Sequence, residues 1–136
     1  MTKFESEIKT IYRDSATIFN KLSDLSNLEQ IKDQIPQDKL KDVEFDSDSL
    51  RFSVDPVGKI GLRIIEREPH KTIKFKSEKA PIDFLVWIQL KEMGKNDTKL
   101  KITLQAELNI FIKGMVSKPL QEAVNKLADM ISSFPF

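Results

Sequence analysis

The chain has 136 residues, the length of one domain with a sizeable core of its own. Its 22 basic and 21 acidic side chains nearly cancel, so no global field would attract nucleic acid or an anionic membrane, and a partner would have to be recognised by shape or by a local patch. Cysteine is absent, which excludes disulfides, thiolate metal sites and cysteine nucleophiles.

The opening residues are charged and lack the apolar run of a signal peptide. The longest apolar run, Phe84 to Ile88, is far shorter than the roughly 20 residues that a membrane span needs. We therefore expect a cytoplasmic protein without a transmembrane segment. No repeat or linker interrupts the chain, so residues 1–136 are expected to form a single domain.

The first third of the chain predicts a strand followed by two short helices. Apolar and polar residues alternate from Phe4 to Thr10, as in a strand with one buried face. Asp14 or Ser15 offers the N-cap of a first helix. The apolar face of that helix consists of Ile18, Phe19 and Leu22. A capping box at Ser26 and Glu29 starts a second helix, with Leu28, Ile31 and Ile35 on one face and Pro36 at its end.

From Val43 onward the apolar residues recur every second position, which predicts six further strands. These are Lys41–Asp46, Leu50–Val54, Ile60–Glu68, Thr72–Glu78, Ile82–Met93 and Thr98–Asn109. Short turns between them favour an antiparallel meander. In the strand that contains Leu85 and Trp87, these two residues put apolar bulk on the nominally outer face, which indicates a covered patch or a contact surface.

After Asn109 the period changes to that of an amphipathic helix. Its apolar stripe consists of Leu120, Ala123, Val124, Leu127, Ile131 and Phe134. Pro119 suits a first helical turn, so the regular helix is expected to start near Ser117 or Lys118, after a looser stretch from Phe111 to Val116. The concave face of a curved sheet is the large apolar surface available to this helix.

This order of elements resembles the helix-grip fold of the START-like (SRPBCC) superfamily, which includes polyketide cyclase-like and Hsp90-activator-like domains. The residues Ile18 to Leu25, IFNKLSDL, are similar to the hydrophobic-aromatic-x-x-Leu-Ser-Asp segment of the first helix in that superfamily. The residues Ile65 to Phe75 resemble its strand, proline turn and strand. The resemblance implies an α+β fold in which a seven-stranded curved antiparallel sheet wraps around a long C-terminal helix, with two short helices after the first strand.

The resemblance also implies a cavity between the sheet and the terminal helix, suited to a lipid-like or aromatic ligand. The apolar candidates for its lining are Phe4, Ile8, Phe52, Ile64, Phe75, Phe84, Val86, Leu104, Ala106 and Leu120. The alternative is that these side chains simply fill a dense core. Ser6 and Glu66 are the polar candidates, because each falls on a strand face that is otherwise apolar, although Glu66 is also close to the rim of the sheet.

Other chemistry is not indicated by the sequence. His70 lies in a turn with no nucleophile beside it, and is expected to be solvated. The aspartates at 46, 48 and 55 lack the glycine and glutamate of a calcium loop, so no metal site is expected. No glycine-rich loop indicates a nucleotide cofactor. The lysines of residues 71–79 are typical of an exposed strand, and no nucleic acid partner is expected.

Three functions are therefore open. The first is non-catalytic binding of a small hydrophobic ligand. The second is a protein-interaction module of the Hsp90-activator-like type, either a homodimer or a binder of another protein, that uses the Leu85 and Trp87 patch. The third is a cyclase- or aromatase-type enzyme with Glu66 and Ser6 in its cavity, but no acid and base pair is evident from their spacing.

Overall fold

An antiparallel sheet and a long helix account for most of the described residues in the computed structural model, which are 2–27, 29, 41–54, 58–80, 82–134 and 136. The elements are β1 (Thr2–Glu5), β2 (Lys9–Ile11), α1 (Ser15–Leu22), β3 (Lys41–Phe45), β4 (Ser49–Val54), β5 (Gly58–Glu68), β6 (Thr72–Glu78), β7 (Phe84–Gly94), β8 (Asp97–Ala106) and α2 (Ile110–Ser132). The strand order in the sheet is β1-β8-β7-β6-β5-β4-β3, and β2 also pairs with β8. The six strands from β3 to β8 form the predicted meander.

The first predicted strand is divided into β1 and β2 by a bulge. Glu5 pairs with Thr103 and Lys9 pairs with Leu100, so three residues of the first strand lie opposite two residues of β8. The extra residue changes which side chains face inward, because the two faces of a strand alternate with every residue. A second bulge lies at Ile65 in β5, between the pairs of Ile64 and Glu66.

The first helix forms where the sequence predicts it. Asp14 is its N-cap, and the Asp14 side chain accepts a hydrogen bond from the Thr17 backbone N–H at 3.0 Å. The helix buries Ile18, Phe19 and Leu22, and it packs against β7. The residues of the predicted second helix from Leu28 to Pro36 lie outside the described residues, apart from Glu29.

The terminal helix starts earlier than predicted. The Asn109 side chain accepts a hydrogen bond from the Ile112 backbone N–H at 2.9 Å, so α2 begins at Ile110 and Pro119 lies inside it. Proline has no N–H, so the helical hydrogen bond to the carbonyl of Met115 is missing. Within the predicted stripe Leu120, Val124 and Ile131 are buried, Leu127 and Phe134 are partly buried, and Ala123 is exposed. Neither of the described helices has the length and apolar character needed to cross a membrane.

Candidate functional site: the concave face of the sheet

A row of apolar side chains crosses five strands of the sheet on one face. Backbone pairing places Phe4 beside Leu104, Leu104 beside Val86, Val86 beside Phe75, and Phe75 beside Ile64. All five side chains are buried. The structure therefore brings these five of the predicted cavity residues together across the sheet.

The remaining apolar candidates lie around this row. Phe84 and Ala106 pair with each other two residues away from the pair of Val86 and Leu104, and both are buried. Phe52 on β4 is partly buried and packs against the core. Leu120 is the first buried residue of α2. Inward-facing neighbours that the sequence-based choice omitted include Leu62, Ile73 and Ile88, which share the two-residue period of the chosen positions.

The long helix covers one side of this face. It packs most closely against β8, β1 and β2, which lie at one edge of the sheet. Beneath it, Leu100, Ile102 and Ala106 have no accessible surface, Ile73 on β6 has none either, and the side chains of the row from Phe4 to Ile64 each keep 4–8% of theirs. The apolar residues of the concave face are thus buried both beneath the helix and across the middle strands.

Polar contacts attach the helix to this edge. Lys9 Nζ lies 2.5 Å from a carboxylate oxygen of Asp129, which raises the pKa of Lys9. The Gln121 side-chain amide donates to the Glu5 carbonyl at 2.8 Å, and the Asn125 side chain accepts from the Glu7 backbone N–H at 3.1 Å. The helix is therefore tied to β1, to β2 and to the segment between them over about two turns.

Two of the predicted lining residues face away from the interior. Ile8 is 66% exposed, because the bulge between β1 and β2 shifts the inward positions to Lys9 and Ile11. Glu66 is exposed and pairs with Lys74, whose neighbours Ile73 and Phe75 point inward. The bulge at Ile65 therefore puts Glu66 on the outer face. Both assignments were wrong for the same reason, a single extra residue in a strand.

Ser6 is buried as expected, but the backbone uses its hydroxyl. The Ile102 backbone N–H donates to Ser6 Oγ at 2.9 Å, and Ser6 Oγ donates to the Glu7 carbonyl at 2.9 Å. These bonds hold the bulge in place. Ser6 and Glu66 therefore do not form a pair of polar groups on the concave face.

The outer face of the sheet carries the predicted patch of Leu85 and Trp87. Leu85 and Trp87 are half-buried there, next to Lys76 and Lys74 in the pairing of β6 with β7. Lys74 Nζ lies 5.3 Å from the centroid of the Trp87 ring, within the range of a cation–π contact. The patch is a partly covered apolar strip with basic side chains along one side.

The remaining polar candidates are at the surface. His70 is exposed in the turn between β5 and β6, with a φ of 64°, and its ring meets the edge of Phe19 at a centroid distance of 5.9 Å. Within the described ranges, no cluster of three histidine, aspartate or glutamate side chains could hold a metal ion.

One surface feature was missed. Ile110, Phe111 and Met115 at the start of α2 are 84%, 83% and 75% exposed. The sequence does contain a signal for it, since these apolar residues do not share the stripe that begins at Leu120. This exposed group was not predicted, because the residues before Ser117 were expected to form a loose stretch rather than a helix.

No protein-family model matches the chain, and no curated protein matches it by sequence. Solved structures do match over nearly the whole length. Norcoclaurine synthase from Thalictrum flavum, in complex with dopamine and hydroxybenzaldehyde, has a TM-score of 0.73 at 15% identity, with 96% of this chain and 84% of that chain covered. A START superfamily protein from Mycobacterium smegmatis has a TM-score of 0.62 at 13% identity, with 95% and 96% covered.

A protein from Thermus thermophilus is also similar, with a TM-score of 0.68 at 16% identity and coverage of 96% and 94%. At identities of 13–16%, the likeness to these neighbours is one of fold. The chain therefore has the α+β helix-grip fold of START-like proteins.

Proposed function

We propose that the protein binds a small hydrophobic ligand, lipid-like or aromatic, between the concave face of the sheet and α2, without catalysing a reaction. The observation that carries this proposal is the continuous apolar row from Phe4 to Ile64, which crosses five strands of the concave face without a polar side chain. A ligand would occupy the interior beside the middle strands, away from the edge where the helix packs.

The lining determines the chemistry of the ligand. Leu104, Val86, Phe75 and Ile64 offer dispersion contacts and no hydrogen bonds, so a polar ligand would lose its hydration without compensation. The neighbour solved with dopamine and hydroxybenzaldehyde supports an aromatic class of ligand. The cytoplasmic location expected from the sequence is part of the same proposal.

Native mass spectrometry of freshly purified protein, followed by titration with 1-anilinonaphthalene-8-sulfonate, tests the proposal. We expect a retained adduct, or saturable binding of the probe with one site per chain. Val86→Trp places a ring in the centre of the row and is expected to reduce probe affinity by at least about tenfold while the fold persists.

Lys91→Trp is the matched control for that variant. Lys91 is exposed on the opposite face of the same strand, so a tryptophan there adds the same side chain without entering the interior. Its probe affinity is expected to equal that of the natural chain. Absence of both adduct and probe binding in the natural chain, or equal loss in the two variants, would overturn the proposal.

A protein-interaction surface is the second candidate. The half-buried Leu85 and Trp87 on the outer face favour it, because Lys74 covers only part of the Trp87 ring. Trp87→Ser is expected to abolish any self-association or partner capture through this face. An unchanged sedimentation profile and unchanged captured partners would remove the reason for this candidate.

A further inference from the structure

The start of α2 presents apolar side chains to solvent on an ordered helix. Phe111 and Met115 are four residues apart and therefore lie on one face, and Ile110 lies at the helix end beside them. A β-carbon added at Gly114, between them, would meet no atom of the described residues within 4 Å. Exposed apolar side chains in such a group are typical of a binding surface.

The charged side chains on the first turns of α2 have one sign. From Asn109 to Gln121 the chain carries Lys113 and Lys118 and no acidic side chain. Acidic residues begin on either side of the segment, at Glu107 and Glu122. Lys118 follows Met115 by three residues and so lies next to it on the helix surface. On the helix itself these exposed apolar side chains are thus accompanied by positive charge only, although the chain as a whole is close to neutral. The exposed acidic residues Glu107 and Asp83, joined by a backbone hydrogen bond of 3.0 Å, precede the first turn of the helix.

These features favour a lipid surface over a protein partner. A stable protein interface needs roughly 800 Å² on each partner, which is more than three side chains on the first turns of one helix can supply. A bilayer needs only a few apolar side chains that insert at the headgroup level and basic side chains that reach the phosphates. Lysine also fits this role because its aliphatic stem can lie along the apolar region while its ammonium stays in the headgroups.

We propose that Ile110, Phe111 and Met115, with Lys113 and Lys118, form a docking surface for an anionic lipid bilayer. We name these five residues the helix-start surface. The inference goes beyond the proposed ligand and does not depend on it, since docking is measured on vesicles and ligand uptake on the soluble protein.

Cosedimentation with vesicles tests this inference. The vesicles consist of phosphatidylcholine alone, or of phosphatidylcholine and phosphatidylserine in a ratio of about three to one. The natural chain is expected to bind the phosphatidylserine vesicles more tightly, with an affinity that falls as salt is added. Phe111→Ser with Met115→Ser should weaken this binding by at least about tenfold, because two inserted side chains are lost. Lys113→Glu with Lys118→Glu should remove the preference for phosphatidylserine.

Met93→Ser is the matched control. Met93 is an exposed methionine near the end of β7. The other end of this strand lies close to the start of α2, because Phe84 pairs with Ala106, the last residue of β8. Met93 is about 30 Å along the strand from Phe84. Its removal should leave vesicle binding unchanged. Absence of vesicle binding by the natural chain, an equal loss in Met93→Ser, or a concentration-dependent self-association abolished by Phe111→Ser would each overturn the inference. Probe binding by the soluble protein, measured in parallel, shows whether ligand uptake survives that outcome.

Discussion

Ser6 and Ile102 exchange two hydrogen bonds across the edge of the sheet, one through the backbone and one through a side chain. The Ser6 backbone N–H donates to the Ile102 carbonyl at 2.8 Å, and the Ile102 backbone N–H donates to the Ser6 hydroxyl at 2.9 Å. The hydroxyl thus replaces the carbonyl that a regular ladder would supply. A serine at this position lets the strand bulge while every backbone group of Ile102 keeps a partner.

Ser6→Ala is therefore expected to destabilise the protein. The substitution leaves the Ile102 N–H buried without its acceptor, which costs about 1–3 kcal/mol in the free energy of unfolding. Urea denaturation of the two proteins measures the difference. Ser47→Ala, at an exposed serine, is the control and should change stability by less than about 0.5 kcal/mol. Equal stability of Ser6→Ala and the natural chain would contradict this role of the hydroxyl.

The bulges explain what the sequence could and could not predict. Alternation of apolar and polar residues located the strands within a few residues, because burial of one face imposes that period. It could not locate an extra residue, since the residues on each side of a bulge alternate correctly by themselves. Ile8 and Glu66 were therefore placed on the wrong face, while Phe75, Val86 and Leu104, which lie in regularly paired stretches of their strands, were placed correctly.

The second bulged strand contains a position that tolerates only glycine. Gly61 on β5 pairs with Glu78 on β6, and a β-carbon on Gly61 would overlap the carbonyl oxygen of Glu78. Gly61→Ala must push two backbones apart, so we expect a loss of about 1–3 kcal/mol in thermal or urea unfolding. Gly94→Ala is the control, because a β-carbon there meets no atom of the described residues within 4 Å. A Gly61→Ala protein as stable as Gly94→Ala would contradict the close approach of the two strands.

Ala106 is the small residue of the inner face of β8, and it has no accessible surface. It lies between Thr2 of β1 and Phe84 of β7, at the edge where α2 packs. A tryptophan at this position has no free space to enter, so Ala106→Trp is expected to cost about 1–3 kcal/mol in urea unfolding. Retained stability together with reduced binding of the hydrophobic probe would show instead that the ligand space extends to Ala106.

The start of α2 shows a different limit of sequence reasoning. Pro119 was interpreted as a first-turn proline, because proline inside a helix is unfavourable. The competing signal was Asn109, a good N-cap ten residues earlier, followed by apolar residues whose period did not fit a buried face. Periodicity identifies the residues that face a core, so the helix-start surface could be recognised only as apolar residues that fall outside the buried stripe.

The turn between β3 and β4 depends on the carboxylate of Asp46. This side chain accepts hydrogen bonds from the backbone N–H of Asp48, and from both the hydroxyl and the backbone N–H of Ser49, each at 2.8 Å. The N–H of Asp48 contributes most to lowering the pKa of Asp46 below its ordinary value of 3.8, followed by the hydroxyl of Ser49. The ionised form is therefore favoured in the folded protein.

Asp46→Asn is expected to make the stability of the protein less dependent on pH in the acidic range. A carboxyl group with a lowered pKa in the folded state stabilises the fold above its ordinary value of 3.8, and that contribution disappears as the pH falls through the folded-state pKa. The natural chain should therefore exceed Asp46→Asn in urea midpoint at neutral pH, and the gap should narrow at pH values below 3.8. Other carboxylates with lowered pKa values, such as Asp14 and Asp24, titrate in both proteins and cancel in the difference. A gap that stays constant or widens in acid would mean that the negative charge of Asp46 does not stabilise this turn.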